Sequence, residues 1–357
     1  MPRPTQAIID LEALRFNYGL ARDRAVPGQA MAVVKADGYG HGIARVAQAL
    51  ASDAPCYAVA CLEEALAIRK AGLAHPIVLL EGVHAEKDMS VCLEQSLEPV
   101  LHSDMQLSWL RGIATPPVVW LKLNTGMNRL GFEPRDLPAL MARLDQQEVR
   151  VRGLMTHFAC ADDLADPFTQ VQTAVLEKAA EAFPGLLLSV GNSAAHFRPE
   201  QPLFHWSRPG IMLYGATPML DASGPELGLK PVMSLVSELI SVRTLEPGMT
   251  VGYGATWQAE IPTPMGIVAI GYGDGYPRHA GTGTPAVVNG TRVRLIGRVS
   301  MDMLAVDLSS VPDAQPGDPV ELWGGQLGID EVAASAGTIA YDLLTGVTPR
   351  VPRVYVN

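Results

Sequence analysis

Lys35 is the residue whose position most strongly indicates chemistry. It directly follows the apolar run A-M-A-V-V and precedes the glycine-rich segment A-D-G-Y-G-H-G. Such a run predicts a buried strand, and a desolvated amine at the end of a strand can attack a carbonyl and hold it covalently. The alternative is a lysine whose stem packs against apolar surface while its ammonium reaches water.

Residues of the types that bind phosphate occur farther along the chain. Ser193 offers a hydroxyl, while Gly210 and Ile211 offer backbone N–H groups where glycine permits close approach. Tyr39 lies about one helical turn after Lys35 and can donate its hydroxyl to the same phosphate. Gly210 alone is more often a simple turn, but its coincidence with Lys35 favours a phosphate site.

Arg208 and Tyr253 are two further candidates. Arg208 precedes Pro209, which favours extended backbone, and its guanidinium keeps its proton, so it can only donate to a facing ring nitrogen. Tyr253 lies between two glycines in V-G-Y-G-A-T-W, which leaves its hydroxyl little steric cover. A surface salt bridge for Arg208 and a packed aromatic at a turn for Tyr253 stay open.

The elements that must position these residues form two patterns. Between residues 30 and 215, apolar runs alternate with helical segments such as Leu62–Ala71 and Phe168–Phe183. Eight runs are predicted as strands: Met31–Lys35, Tyr57–Cys61, Ile77–Glu81, Pro99–His102, Val118–Leu123, Val151–His157, Leu186–Val190 and Ile211–Tyr214. Because these runs are mostly apolar, they are typical of parallel strands buried on both faces, and they predict a (β/α)8 TIM-type barrel. A doubly wound open sheet is the alternative, but no G-x-G-x-x-G follows the first strand.

After residue 228 the pattern changes to β-branched runs broken by Gly and Pro. Examples are Leu235–Val242, Ile267–Ile270, Ala286–Val288, Val293–Ile296 and Leu304–Leu308, with the turn signal Asn289-Gly290 between two of them. We therefore predict an α/β barrel over residues 1–228 and a mostly-β C-terminal domain over residues 229–357, with the first ~10 residues able to pair with the β domain.

The active site of a barrel lies at the carboxyl ends of its strands. The polar residues at or after the ends of the predicted strands are Lys35, Lys122, Asn124, Arg129, His157, Asn192 and Ser193, and Arg208 lies where the predicted eighth strand begins. In the second domain, G-Y-G-D-G-Y-P-R at 271–278 and R-V-S-M-D-M at 298–303 are either parts of a site or plain hairpins.

Composition narrows the class of protein. The chain has 357 residues and a formal net charge of −10, which predicts two domains and disfavours binding to nucleic acid or anionic membranes. We find no signal-peptide apolar stretch and no apolar run long enough for a membrane span, so a cytoplasmic location is expected. The four cysteines show no C-x-x-C spacing, which favours reduced thiols and no metal site.

Taken together, these motifs resemble those of alanine racemases over essentially the whole chain. The segments that carry the resemblance are V-V-K-A-D-G-Y-G-H-G, L-N-T-G-M-N-R-L-G-F, G-N-S-A-A, R-P-G-I-M-L-Y-G, V-G-Y-G-A-T-W and V-S-M-D-M. The resemblance implies a barrel followed by a β domain, a head-to-tail homodimer with shared active sites, pyridoxal 5′-phosphate as cofactor and alanine as substrate. It also implies a supply of D-alanine for peptidoglycan precursors.

The resemblance assigns a role to each site residue. Lys35 would hold the cofactor and act as one catalytic base, and Tyr253 from the partner subunit would be the other. Arg208 would face the pyridine nitrogen with His157 beside the ring. The remaining cofactor contacts would be Tyr39, Asn192, Ser193, Gly210, Ile211 and Tyr341. Arg129 and the Met301 N–H would bind the substrate carboxylate, Tyr272 and Asp302 would shape the entrance, and Lys122 matches a lysine that is often carbamylated.

Two positions depart from the family pattern, and other activities remain open. Asn124 stands where aspartate is frequent, and Thr345 where cysteine is frequent. The alternatives are a racemase of broader specificity for small amino acids, a fold-related decarboxylase that uses the same cofactor, and a non-catalytic cofactor-binding barrel. The last would lack the β domain.

Overall fold

The computed structural model describes residues 3–357 and divides the chain into two compact units. The first, called the barrel unit here, comprises Arg15–Leu213 and Pro218–Ala222. The second, called the β unit, comprises the N-terminal residues up to Leu14 together with Tyr214–Thr217 and Ser223–Asn357.

A closed parallel sheet forms the centre of the barrel unit. The spatial order of its strands is Gln29–Ala30, Trp206–Ser207, Leu187–Ser189, Val151–Met155, Val119–Lys122, Leu97–Leu101, Ile77–Leu79, Tyr57–Val59 and Ala32–Val33. The first and last of these are interrupted only by Met31, whose N–H donates to the carbonyl of Ser207 at 2.9 Å. The nine segments therefore occupy eight strand positions, and the predicted (β/α)8 barrel is confirmed.

The prediction of an eighth strand at Ile211–Tyr214 is wrong. Those four residues form a 3-10 helix, and the eighth strand position is taken by Trp206–Ser207. All four residues are buried, and a short apolar run has the same pattern in a buried strand and a buried helix. Arg208 consequently follows the last strand instead of opening it.

The two helical segments predicted with bounds, Leu62–Ala71 and Phe168–Phe183, are present as Leu62–Lys70 and Phe168–Ala180. Phe168–Ala180 begins after Asp166, whose carboxylate accepts the Phe168 N–H at 2.7 Å and satisfies the first turn. The other helices that precede residue 214 are Leu11–Ala25, which begins in the β unit, Ile43–Leu50, Leu62–Lys70, Lys87–Glu94, Asp104–Ser108 and Leu137–Asp145. A left-handed turn occurs at Lys35–Tyr39, and 3-10 turns occur at Pro134–Asp136 and Ala194–Phe197.

Six antiparallel strands of the β unit pair in a closed ring. Met233–Leu245 closes it by pairing with both Thr263–Val268 and Pro319–Trp323. Between those two, the order is Leu304–Asp307, Thr291–Leu295 and Pro285–Val288. The N-terminal strand Gln6–Asp10 extends the sheet, antiparallel to Met233–Leu245 and parallel to Arg353–Val356.

Smaller elements complete the β unit. Helices Ile329–Ala336 and Ala340–Gly346 were not predicted, and 3-10 turns occur at Pro225–Leu227, Tyr253–Ala255 and Tyr272–Asp274. The turn at Asn289-Gly290 is confirmed, because both residues have positive φ, at 49° and 77°, as a tight hairpin requires.

A separate hairpin of the β unit, Thr250–Val251 paired with Trp257–Gln258, carries Tyr253 at its tip. It is anchored by a buried apolar cluster to which Trp257 and Ile267 are added. The members of the cluster are Leu245, Val251, Ala259, Met265, Ile296 and Ala305. The hairpin that carries Tyr253 is therefore fixed at its base by packing against this cluster.

Within residues 3–357, no helix is long and apolar enough to cross a membrane. The same residues contain no cluster of His, Cys, Asp or Glu that could hold a metal ion. All four cysteines are free thiols, with Cys56 and Cys92 buried and the other two half-buried.

Candidate active site

Most of the predicted site residues lie at, or just after, the carboxyl ends of barrel strands. Those in this position are Lys35, Lys122, His157, Asn192, Ser193, Arg208, Gly210 and Ile211. The carboxyl ends of parallel barrel strands share one face of the barrel, which is where the active sites of this architecture are built.

The chain turns left-handed directly after Lys35. The φ angle is positive through five consecutive residues, from 52° at Ala36 to 79° at Gly40. The left-handed conformation costs roughly 1–2 kcal/mol per non-glycine residue, so a run of this kind persists only where its surroundings enforce it. The Asp37 carboxylate helps by accepting the Ile43 N–H at 2.8 Å. The turn carries Tyr39, which is buried.

Tyr39, Ser193 and Gly210 meet in one cradle of hydrogen-bonding groups. A Cβ atom on Gly210 would overlap the Tyr39 hydroxyl, so only glycine allows this approach. The Ser193 hydroxyl oxygen accepts N–H groups from Gly210 at 2.8 Å and from Met212 at 3.3 Å.

The N–H of Ile211 is an orphaned donor in this cradle. Ile211 is 1% exposed, and its N–H finds no acceptor among the residues that the structure describes. Buried N–H groups without a partner are rare, and several converging donors are the usual protein site for phosphate. The cradle therefore has the form of a phosphate site.

Arg208 is buried and held rigidly by neutral acceptors. It is 5% exposed and donates to the Ser189 hydroxyl at 2.7 Å, to the Thr156 carbonyl at 2.6 Å and to the Val190 carbonyl at 3.2 Å. Its Nη2 also lies 3.3 Å from Nδ1 of His157. Burial lowers the pKa of Arg208 to about 9, which leaves a cation at neutral pH.

Four cations surround His157. Burial lowers the pKa of His157 well below its ordinary value, and the charges of Arg208, Lys122, Arg129 and Lys35 lower it further. The pKa of Lys122 is lowered to about 8, first by burial and then by Arg208, Arg129 and Lys35, against an opposing effect of Glu81. This concentration of positive charge favours an anionic ligand.

A small cavity borders Lys122, Arg129 and His157. The segment between the two cations is folded around Asn124, whose side-chain oxygen accepts the N–H of Asn128 at 3.0 Å. The Asn124 amide nitrogen donates to the Asn128 side chain at 2.9 Å and to Glu133 at 3.1 Å. The asparagine thus organises the turn that carries Arg129.

His196 fixes the loop that carries Asn192 and Ser193. Its Nδ1 donates to the Asn192 carbonyl at 2.8 Å, and its Nε2 accepts from the Ser207 hydroxyl at 3.0 Å. Burial lowers the pKa of His196 to about 4, which matches an imidazole that is neutral in this arrangement. The histidine therefore ties the loop of Ser193 to the strand that precedes Arg208.

Two of these residues were not predicted from the sequence. Ser189, whose hydroxyl accepts a hydrogen bond from Arg208, is a polar residue within the apolar strand segment L-L-L-S-V. A polar residue in a buried strand needs a hydrogen-bond partner, so its position indicates a role in the site. His196 lies in a segment whose composition gave no indication of its two partners.

The other predicted residues lie in the β unit. Tyr253 is 70% exposed at the tip of its hairpin, where Gly252 and Gly254 have φ values of 70° and 75° that glycine adopts easily. Tyr341 is half-buried on helix Ala340–Gly346, where its carbonyl accepts the Thr345 hydroxyl at 2.7 Å.

Tyr272, Met301 and Asp302 are brought together within the β unit. Tyr272 donates its N–H to the Ser300 carbonyl at 3.0 Å, and Gly273 donates to the Met301 carbonyl at 2.8 Å. The Met301 N–H meets no acceptor within the described part of the chain, and Met301 is 52% exposed. It is a donor available to a ligand.

Two family models match the chain. The alanine racemase N-terminal domain matches residues 9–218, and the alanine racemase C-terminal domain matches residues 232–355. The alanine racemase of Marinobacter nauticus is 60% identical over 99% of this chain and 100% of its own. The biosynthetic alanine racemase of Pseudomonas aeruginosa is 50% identical over 99% of each chain.

Solved structures show the same likeness. The crystal structure of the biosynthetic alanine racemase from Pseudomonas aeruginosa superposes with a TM-score of 0.94 at 49% identity, over 99% of this chain and 100% of that one. An alanine racemase from Bartonella henselae with covalently bound pyridoxal phosphate superposes with a TM-score of 0.91 at 27% identity, over 99% of this chain and 100% of that one.

We expect His196 to make folding stability pH-dependent. Its pKa drops from 6.5 in the unfolded chain to about 4 in the folded protein, so the folded state binds fewer protons in this range. The stability contributed by the neutral imidazole is complete above pH 6.5 and is lost as the pH falls toward 4. The expected loss between pH 7 and pH 5 is about 2 kcal/mol.

Urea unfolding of the wild type and of His196→Gln at both pH values measures this contribution. The variant should lose about 2 kcal/mol less than the wild type on acidification, because any contribution of His157 is common to both proteins. His84→Gln, which replaces an imidazole that is 67% exposed, is the matched control. Identical pH dependence in wild type and His196→Gln would contradict the assignment.

Proposed function

The chain belongs to the alanine racemase family, and we propose that it interconverts L- and D-alanine by two-base chemistry on pyridoxal 5′-phosphate. Relatives up to 60% identical over nearly the whole chain support the racemisation of alanine. The observation that carries the cofactor proposal is the pairing of a phosphate cradle with a buried, unneutralised cation at the carboxyl end of the barrel.

The residues present fit this cofactor. We propose that its phosphate is held by the hydroxyls of Tyr39, Ser193 and Tyr341 and by the backbone N–H of Ile211. Gly210 would allow the phosphate to approach closely, and its own N–H donates to the Ser193 hydroxyl oxygen. The orphaned Ile211 N–H and the clash that any Cβ on Gly210 would meet both support this assignment. Asn192 would support the loop through its side-chain oxygen, which accepts the Ala195 N–H at 3.1 Å.

Arg208 is proposed to face the pyridine nitrogen. Its contacts to Ser189, Thr156 and Val190 aim the guanidinium, and it remains a donor at neutral pH, so it would keep the ring nitrogen unprotonated. His157 would lie beside the ring as a neutral imidazole, because burial and the surrounding cations lower its pKa.

Lys35 and Tyr253 are the proposed pair of bases. Bound pyridoxal 5′-phosphate supplies a system that delocalises the electron pair left on the α-carbon when its proton departs. Lys35 would hold the cofactor through its amine and move a proton at one face of the α-carbon. The Tyr253 hydroxyl would move a proton at the opposite face, because inversion requires one acid–base group on each side.

Substrate contacts are proposed on both units. Arg129 would pair with the carboxylate of alanine, and the Met301 N–H, which has no acceptor within the described residues, would donate to the same carboxylate. Tyr272 and Asp302 would line the entrance. We propose a cytoplasmic homodimer in which Tyr253, Tyr272, Met301 and Asp302 of one subunit serve Lys35 of the other. The exposure of Tyr253 supports this arrangement.

A racemisation assay with a lysine variant tests the proposed function. The wild type loaded with pyridoxal 5′-phosphate should remove the optical activity of L-alanine, and Lys35→Ala should be slower by at least ~10²–10⁴-fold because a base is lost. Lys70→Ala, which removes an exposed lysine, should match the wild type. Release of carbon dioxide from lysine or ornithine, without racemisation of alanine, would show that the chain is a decarboxylase instead.

Mixed dimers test the sharing of sites between subunits. Lys35→Ala and Tyr253→Ala should each be nearly inactive alone. After subunit exchange at equal amounts, about half of the dimers are mixed, and each mixed dimer has one site with both bases, so roughly a quarter of wild-type activity should return. If Tyr253 acted within its own chain, verified exchange would restore no activity.

We also expect Lys122 to be carbamylated. A pKa of about 8 leaves part of this amine neutral near physiological pH, and a neutral amine can add carbon dioxide and release a proton. The resulting carbamate would supply negative charge beside Arg129 and Arg208. Carbon-13 NMR with labelled bicarbonate should show a carbamate signal that Lys122→Ala abolishes and Lys70→Ala retains. A spectrum that is the same with and without Lys122 would contradict it.

A further inference from the structure

Asp274 is a buried carboxylate in the β unit with several charged and polar partners. It is 1% exposed, and its Oδ1 lies 2.6 Å from Nη1 of Arg3 and 3.5 Å from Nε of Arg350. Its Oδ2 accepts the Gly271 N–H at 3.0 Å. A carboxylate this deeply buried is stable only when it is paired and hydrogen-bonded, so Arg3, Arg350 and the Gly271 N–H stabilise the buried charge of Asp274.

The guanidinium of Arg3 joins three segments of the chain. Besides Asp274, it donates from Nη2 to the carbonyls of Ala269 and Asp302, both at 2.8 Å. Arg350 adds a second link, because its Nη2 lies 2.7 Å from the Asp302 carboxylate. Two cations and two carboxylates thus form a closed network that reaches the residue directly after Met301.

The turn at 271–275 and the segment at 300–302 are in close contact, so a constraint on one is transmitted to the other. A Cβ atom on Gly271 would lie 2.6 Å from the Met301 carbonyl oxygen, and one on Gly273 would lie 3.0 Å from it. Hydrogen bonds from the N–H groups of Tyr272 and Gly273 to the carbonyls of Ser300 and Met301 join the same two segments.

We propose that Arg3 is a positioning residue for substrate binding, which acts through Asp274 and the Asp302 carbonyl to fix the direction of the Met301 N–H. The inference rests on the proposed role of that N–H toward the alanine carboxylate. Arg3 touches neither substrate nor cofactor in this proposal. Arg3 would keep the Met301 N–H pointing toward the substrate carboxylate. The hydrogen bonds from Tyr272 and Gly273 alone would hold the segment at 300–302 less firmly.

The kinetic signature follows from this role. A donor to the carboxylate binds substrate and transition state alike, so a misdirected N–H raises KM and leaves kcat nearly unchanged. Arg3→Gln should raise KM for L-alanine about 10-fold, with kcat within about twofold and with the absorbance of the bound cofactor unchanged. Asp274→Asn should raise KM similarly, and the double variant should raise it by less than the product of the two, because both act in one network.

Two further variants complete the test. Arg292→Gln removes an exposed arginine of the same unit that pairs with Glu331, and it should leave both constants unchanged. Arg3→Lys keeps a charge for Asp274 but cannot make all three contacts, so its KM should fall between those of wild type and Arg3→Gln. It also serves if Arg3→Gln does not fold.

A second measurement does not depend on turnover. Amide hydrogen exchange of the peptide that contains Met301 and Asp302 should be faster in Arg3→Gln than in wild type, and unchanged in Arg292→Gln. Wild-type KM and wild-type exchange in the Arg3 variants would overturn the proposal, as would a loss confined to kcat. If the wild type fails to racemise alanine, the proposed function is wrong, while the exchange data still decide whether Arg3 orders this segment.

Discussion

The barrel unit holds Lys35, Lys122, Arg129 and Arg208 around one half-buried histidine, His157, and mutual repulsion among these cations is the constraint on which the site depends. The groups that contact Arg208 are a hydroxyl, two carbonyls and an imidazole. They satisfy its N–H donors without cancelling its charge. Burial, and after it the same excess of positive charge, lowers the pKa values of Lys122 and His157. An anionic ligand would relieve this excess of positive charge, so selectivity for anions is built into the site.

The backbone of the barrel unit adopts locally unfavourable conformations in order to position the groups of the site. The left-handed turn from Ala36 to Gly40 and the orphaned N–H of Ile211 are each unfavourable in isolation. Both occur where the closed barrel fixes the chain on either side, and both border the cradle formed by Tyr39, Ser193 and Gly210. Strain of this kind concentrates at binding sites because the surrounding fold determines the conformation.

The sequence predicted what local patterns encode. Apolar runs followed by polar residues located Lys35 and His157 at strand ends, because strand burial and strand termination are both visible in the order of residue types. Arg208 was predicted to open the eighth strand, and it follows that strand instead. The same rule failed at Ile211–Tyr214, where four apolar residues in a row do not distinguish strand from helix.

Other features depend on contacts between distant residues and left no local signal. His196 is typical of this group, because its role comes from the Ser207 hydroxyl on another segment. The ion pair of Arg3 with Asp274 spans 271 positions of the chain, a separation at which no motif or periodicity connects two residues. Only the three-dimensional fold of the β unit brings these two residues together.

The two units use charge in opposite ways, and the difference follows from what each must present. In the β unit, the positive charges of Arg3 and Arg350 are balanced by the carboxylates of Asp274 and Asp302, so this network has no net charge. Its hydrogen bonds hold the backbone in place. The two donors that this unit offers to the proposed site, the hydroxyl of Tyr253 and the N–H of Met301, are uncharged. In the barrel unit the four cations of the site are left without an ion pair among the described residues, although Arg152 elsewhere in the unit pairs with Glu98. The attraction of those four cations remains available to a ligand. Paired charge therefore builds rigidity where neutral donors must be aimed, and unpaired charge supplies affinity where an anion must be bound.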